Sequence, residues 1–141
     1  MSLLGEREQA IVRDEFLKLE KPVKLIHFTQ GLMCDTCPET QQLLEDVASL
    51  SDKVTCEVHN FAIERELAAQ YGVARVPATV VQGERDYKVW LYGLPSGYEF
   101  SSLIHAIQSV SRSNSGLTEV SRAQLQSITS PTHIQVFVTP T

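Results

Sequence analysis

An apolar run, VKLIHFT at residues 23–29, is followed closely by Cys34-Asp35-Thr36-Cys37-Pro38 and then by a helical pattern. This succession constrains the chain more than any other feature in it. The run is short and rich in β-forming residues, so it reads as a buried strand. Pro38 has its φ preset for the first turn of a helix, where its missing N–H costs nothing. Leu43, Leu44, Val47 and Leu50 then recur on one helical face. A buried strand thus passes the chain, through a cysteine pair, to a helix that packs back on the sheet. Two thiols so placed can bind a metal, staple a loop or switch between dithiol and disulfide.

The rest of the sequence continues in the same style. Residues 6–20 place Ile11, Phe16 and Leu19 near one helical face, and Lys21-Pro22 ends that helix. VTCEVHNF at residues 54–61 is a second strand, and IERELAAQYG a short helix closed by Gly72 as a left-handed cap. VPATVVQ at residues 76–82 is a third strand, begun by a proline rather than containing one. Residues 87–93 pair back as a fourth. Phe100, Leu103, Ile104, Ile107 and Val110 mark another amphipathic helix. The order predicts an α/β fold, a mixed central sheet flanked by helices, with an extra N-terminal helix. After Ser111 the composition shifts. SRSNSG is a linker, LTEVSRAQLQSI a helix with Thr118 near its start, and HIQVFVTPT one more strand. The division is a domain over residues 1–111 and a helix–strand extension over 112–141.

Composition narrows the function. The chain has 141 residues, 43% of them hydrophobic, with a net charge of −5. That size supports one core, and the negative balance argues against nucleic acid or an anionic membrane as partner. No apolar run is long enough to span a bilayer, and the polar, charged opening does not read as a secretory signal. The expected location is therefore cytoplasmic. There a close cysteine pair is metal-binding or catalytic rather than a permanent staple. Structural zinc takes four N or S ligands. The pair supplies two, and neither Cys56 nor the four histidines show paired spacing. No metal site is expected. Cys56, flanked by apolar strand positions, reads as an inert core thiol. Trp90 and Tyr92 read as packing residues, and the charges of IERELA as a solvated face.

A buried strand, Cys-x-x-Cys-Pro opening a helix, and Val76-Pro77 about forty residues later together resemble the thioredoxin and glutaredoxin superfamily. PVKLI, CDTC, ELAAQYGVARVPATVV, LYGLPSGYEF and IQVFVTPT are similar to the prokaryotic glutaredoxin-like protein disulfide oxidoreductases, which carry two thioredoxin-fold units in tandem. The resemblance covers the first unit of that family. It implies a thioredoxin-like fold and identifies residues 112–141 with the start of a second unit, so the chain is expected to be a half-length form without the second Cys-x-x-Cys.

The resemblance also implies an activity: exchange of disulfides with other proteins, with no bound cofactor beyond the redox-active disulfide. Glutathione or a flavin-dependent reductase is the implied electron partner. Cys34 becomes the nucleophile, near a helix N-terminus that favours a thiolate, and Cys37, about one turn in, the resolving thiol. Pro38 limits fraying of the helix start. Val76-Pro77 is implied to be cis and to offer the backbone of Val76 to an extended substrate segment. Arg75 reads either as a solvated loop charge or as a contact for acidic substrates or a glutathione carboxylate. Gly97 and the helix start after it could offer N–H groups to an anion. His27 lies close to where thioredoxins carry a buried acid. It reads either as a general base for Cys37 or as a packed residue with one hydrogen bond. The alternative to an enzyme is a thioredoxin-like interaction domain with idle cysteines. The apolar strand at residues 134–138 is expected to dock on its own sheet or to pair with a second copy as a homodimer.

Asp35 and Thr36 form the spacer. An ionised Asp35 beside Cys34 opposes the thiolate and so destabilises the reduced form. The pair is expected toward the reducing end of a span from about −270 mV for thioredoxin to about −120 mV for the strongest oxidant. Replacing Asp35 with Asn or Pro should move the redox equilibrium with glutathione toward the oxidising side; an unshifted equilibrium would count against the spacer argument.

Overall fold

The computed structural model describes residues 1–139. Helix α1 (Glu6–Phe16) leads into β1 (Val23–Thr29), α2 (Cys37–Ala48), β2 (Val54–Asn60), α3 (Arg65–Tyr71), β3 (Ala78–Gln82), β4 (Trp90–Tyr92), α4 (Tyr98–Arg112) and α5 (Glu119–Gln126). The four strands form one sheet in the order β2-β1-β3-β4. β1 runs parallel to β2 and antiparallel to β3, and β3 is antiparallel to β4. This is the expected α/β architecture with a mixed sheet.

β1 is the centre of the molecule because both its faces are covered. That is why its apolar residues run continuously instead of alternating. Val23 and Leu25 share one face with Val81 of β3. They pack with Leu43, Leu44 and Val47 of α2, Leu103 and Ile107 of α4, and Val12 and Phe16 of α1. Ile26 and Phe28 point the other way and pack with Ala78 and Val80 of β3, Ala68 of α3, and Val73. Leu25, Ile26 and Phe28 have no exposed surface. Burying side chains of this size contributes about 1.5–3 kcal/mol each.

Several boundaries differ from the expected ones. α1 stops at Phe16, not at residue 20, and Leu17, Lys18 and Leu19 continue as a turn with N–H groups reaching back to Arg13, Asp14, Glu15 and Phe16. Val12 and Phe16, four apart, supply its buried face, whereas Ile11 is 56% exposed. One residue's shift turns a helical side chain by 100°, which places Ile11 outside. β3 begins at Ala78 rather than Val76. β4 is only three residues long. Lys88 has a left-handed backbone (φ 60°), and its N–H donates to the Asp86 carboxylate at 2.9 Å, so the chain cannot stay extended before Val89. Gly72 caps α3 at φ 74°, as its position predicts.

The C-terminal segment departs most from expectation. α5 forms, and the Thr118 hydroxyl caps it by accepting the Ser121 N–H at 3.2 Å. No residue of α5 is buried. The expected strand HIQVFVTPT does not form over residues 133–139; Pro140 and Thr141 lie outside the described residues. Nor does this stretch dock on its own sheet. Ile134, Val136, Phe137 and Val138 are exposed, and Val138 and Thr139 pass beside Gly97 and Ser102. A strand is stabilised by a neighbour that pairs its backbone, and β propensity alone does not supply one.

From Arg112 to Thr139 no described residue is buried, whereas Ser111 has no exposed surface. The Ser111 hydroxyl accepts the N–H groups of Glu20 (2.9 Å) and Lys21 (3.0 Å) and donates to the Lys21 carbonyl (2.7 Å). It thereby ties the end of α4 to the connection between α1 and β1. Ser111→Ala removes three part-buried hydrogen bonds and should cost about 0.5–1.5 kcal/mol, measured by urea unfolding.

Candidate active site

The loop after β1 carries the cysteine pair, and Cys34 and Cys37 are joined in a disulfide with Cα atoms 5.4 Å apart. Cys37 is the first residue of α2 and fully buried; Cys34 lies ahead of the helix and is half-buried. Cys34 is near the helix N-terminus as the sequence implied, whereas Cys37 is at the first helical position and not one turn in. Asp35 and Thr36 form the exposed turn between them. The Cys37 N–H donates to the Cys34 carbonyl at 3.3 Å. Thr36 is the N-cap residue without a side-chain cap bond, but its carbonyl accepts both the N–H (2.9 Å) and the hydroxyl (2.7 Å) of buried Thr40. Pro38 occupies the first turn as expected and is exposed.

The β1–β3 register places the proline. Phe28 is opposite Ala78, so Pro77 falls level with Thr29, at the sheet end from which the cysteine loop departs. The Val76–Pro77 peptide is cis. The Pro77 carbonyl accepts the Gly93 N–H at 2.9 Å, which joins the loop after β4 to the same place. No hydrogen bond to the Val76 N–H or carbonyl forms among the described residues. The Phe61 N–H donates to the Thr29 carbonyl at 2.8 Å and brings in the loop after β2. One end of the sheet therefore gathers the disulfide, Val76-Pro77, Gly93 and Phe61.

His27 has no exposed surface, and alternation along β1 sets it on the face covered by α2, one pair along from Leu25 and Val81. Its Nδ1–H donates to the Ala78 carbonyl at 3.1 Å. That leaves Nε2 as an acceptor with no partner among the described residues; the Thr79 hydroxyl, directly opposite across the strands, has none either. Burial pushes the His27 pKa down, opposed by the bond to Ala78 and by Glu45, so the imidazole is held toward its neutral form. Cys56 is half-buried, and burial first, then Glu45 and Glu57, pushes its thiol up to about 11. At neutral pH it is not a thiolate, which agrees with an inert core cysteine.

Sequence reasoning missed three features here. Leu32 (82% exposed) and Met33 (97%) stand out beside Cys34. Met33 does so on a left-handed backbone (φ 57°), a conformation that costs a non-glycine residue roughly 1–3 kcal/mol. Thr40 and Thr79 are fully buried polar residues in otherwise apolar layers. The only signal was hydroxyl residues at core positions of the helix and strand patterns. Among the described residues no group of three or more His, Cys, Asp or Glu side chains is placed to hold a metal ion. Among the described residues no helix is long and apolar enough to cross a membrane.

A disulfide between a buried and an accessible cysteine, at the mouth of a helix and beside a cis-proline loop, defines a dithiol–disulfide site. The comparisons with known proteins agree. A family model described as a thioredoxin domain matches residues 23–105. A thioredoxin of Methanocaldococcus jannaschii is 33% identical over 66 residues, which is 46% of this chain and 76% of that protein. A protein disulfide oxidoreductase from Aeropyrum pernix superposes with a TM-score of 0.79 at 22% identity, over 87% of this chain and 54% of that one. The N-terminal domain of the alkylhydroperoxide reductase AhpF from Enterococcus faecalis gives 0.74 at 25% identity, over 86% and 59%. The chain thus spans little more than half the length of these two solved chains. It belongs to the thioredoxin family. Its chemistry is thiol–disulfide exchange, and it is an oxidoreductase.

Proposed function

We propose that the chain exchanges disulfides with other proteins in the cytoplasm, with Cys34 as the attacking thiol and Cys37 as the resolving one. The observation that carries this reading is the unequal access to one disulfide: Cys34 is half-buried and Cys37 has no exposed surface. In the reducing direction the Cys34 thiolate attacks a substrate disulfide, forms a mixed disulfide and releases one substrate thiolate. Cys37, having given up its proton, then attacks the Cys34 sulfur. The Cys34–Cys37 bond forms, the second substrate thiolate leaves, and two electrons have passed to the substrate. Glutathione or a flavin-dependent reductase restores the dithiol. Val76 and Pro77 bind the substrate: the unpaired N–H and carbonyl of Val76 match an extended backbone. Asp35 sets the poise by opposing the Cys34 thiolate, while Thr36 and Pro38 hold the helix start.

His27 serves as the base that receives the Cys37 proton. Burial favours its neutral form, its Nδ1–H is committed to Ala78, and its Nε2 lone pair is free on the α2 side of the sheet. The sign follows from the lowered pKa: the base is competent above that value and is lost as pH falls through it.

Insulin reduction with dithiothreitol tests both assignments. Cys34→Ser should fall to the uncatalysed rate, and Cys37→Ser should accumulate a mixed disulfide. Equal rates for wild type and Cys34→Ser would leave only the interaction-domain reading. His27→Gln should slow the resolving step by about 10²-fold, in line with general-base catalysis, and remove its low-pH decline. An unchanged pH profile would reduce His27 to packing.

Residues 134–138 pair with a second copy and give a homodimer. Their exposed apolar side chains, which belong to no strand ladder, support this reading. Sedimentation equilibrium should show a dimer that Val136→Pro converts to monomer. A monomer at all concentrations would refute it.

A further inference from the structure

We propose that Arg75 selects the substrate, favouring sulfur-bearing ligands with a carboxylate close to the reacting sulfur. This rests on the exchange reading and names the class of disulfide that the same site prefers.

Three observations lead to it. Arg75 stands two residues before Pro77, next to Val76, whose backbone is unpaired among the described residues. Its guanidinium lies over the Tyr92 ring, 4.6 Å from the centroid. Tyr92 is itself held at the site: it is opposite Ala78 in the β3–β4 register, its hydroxyl accepts the Ala74 N–H at 3.4 Å, and its neighbour Gly93 donates to Pro77. The ring thus gives Arg75 a preferred position beside the proline rather than free rotation in solvent. The planar guanidinium keeps its edge N–H groups free to grip a carboxylate while its face is stacked.

The charge is also available. Four other cations of the chain, Lys18, Lys21, Lys24 and Lys88, are engaged with Glu15, Glu84, Glu57 and Asp86. Arg75 is exposed and pairs with no carboxylate among the described residues. Arg65, on the loop-side end of α3, is tied to the Ala62 carbonyl and flanked by Glu64 and Glu66. Asp35, exposed between the cysteines, repels an acidic ligand from its own side. The two charges together orient a ligand whose acidic group lies toward Val76 and away from the spacer. Within a chain of net charge −5, a local cation at the site is what lets an acidic ligand approach.

The required chemistry, a carboxylate near sulfur, is found both in acidic protein segments and in glutathione. The test uses inert analogues, so it does not depend on turnover. Two thioether-bridged peptides, identical except for Asp or Lys next to the bridge, are titrated against the intact chain by NMR, and S-methylglutathione forms a third arm. Wild type should bind the acidic peptide about two- to fivefold more tightly at low salt, and the preference should fade as salt screens it. Arg75→Gln should abolish the preference, Arg75→Lys should keep most of it, and Arg65→Gln should leave it intact. An Arg75-dependent signal with S-methylglutathione supports the small-molecule source; the same dependence confined to the peptide supports the protein source. Equal binding of both peptides by wild type, or a preference that survives Arg75→Gln, overturns the proposal. If the preference holds but no disulfide form of the peptide is ever reduced, the exchange reading fails and the selection by Arg75 stands.

Discussion

The enclosure of β1 on both faces is the constraint on which the other features depend. Two ladders and two apolar layers converge on seven residues, so β1 has little freedom to shift. A one-residue slip would exchange Leu25 and His27 for Ile26 and Phe28 across the sheet and would break both layers. The end of β1 is consequently held from both sides by its ladders to β2 and β3. The cysteine loop leaves from it, Phe61 bonds to it, and Pro77 lies level with it. A site that exchanges covalent bonds needs its partners held closely, and here rigidity comes from the strand rather than from the loop.

The same enclosure produces the chemical asymmetry around the pair. α2 covers the β1 face that carries His27, and its first residue is Cys37, so a buried cysteine opens the helix that lies over this layer. Cys34, ahead of the helix, stays outside that layer. Loss of hydration on burial favours the uncharged forms of both His27 and Cys56, and His27 is the nearer of the two to the end of β1 from which the cysteine loop departs. Among the described residues the unpartnered buried side-chain atoms are His27 Nε2 and Thr79 Oγ1, which belong to residues directly opposite each other in the β1–β3 register. Buried groups of that kind concentrate where a protein has chemistry to perform.

Much of this was legible from residue order. VKLIHFT lacks alternation because both its faces are covered, and Pro38 and Gly72 mark helix ends through their own backbone preferences. Leu103, Ile107 and Val110 show one face of α4. Other features were not legible because they depend on neighbours distant in the chain. The pattern along α1 pointed to Ile11, and the packed helix buries Val12 in its stead. Ser111 looks like the first residue of a polar linker, yet its hydroxyl bonds to residues ninety positions away. IQVFV has every local mark of a strand and forms none, because among the described residues no strand pairs with it.

Sequence by itself determined the inventory: an apolar strand, a Cys-x-x-Cys-Pro turn, a helix, and Val76-Pro77, each set by side-chain pattern and by the restricted φ of proline. Those properties are local and act wherever the segments lie. Tertiary structure alone decided which cysteine is buried, that His27 is buried and tied to Ala78, and that Arg75 rests on Tyr92. Burial and charge depend on what packs against a residue, and that is settled only when the sheet has closed around β1.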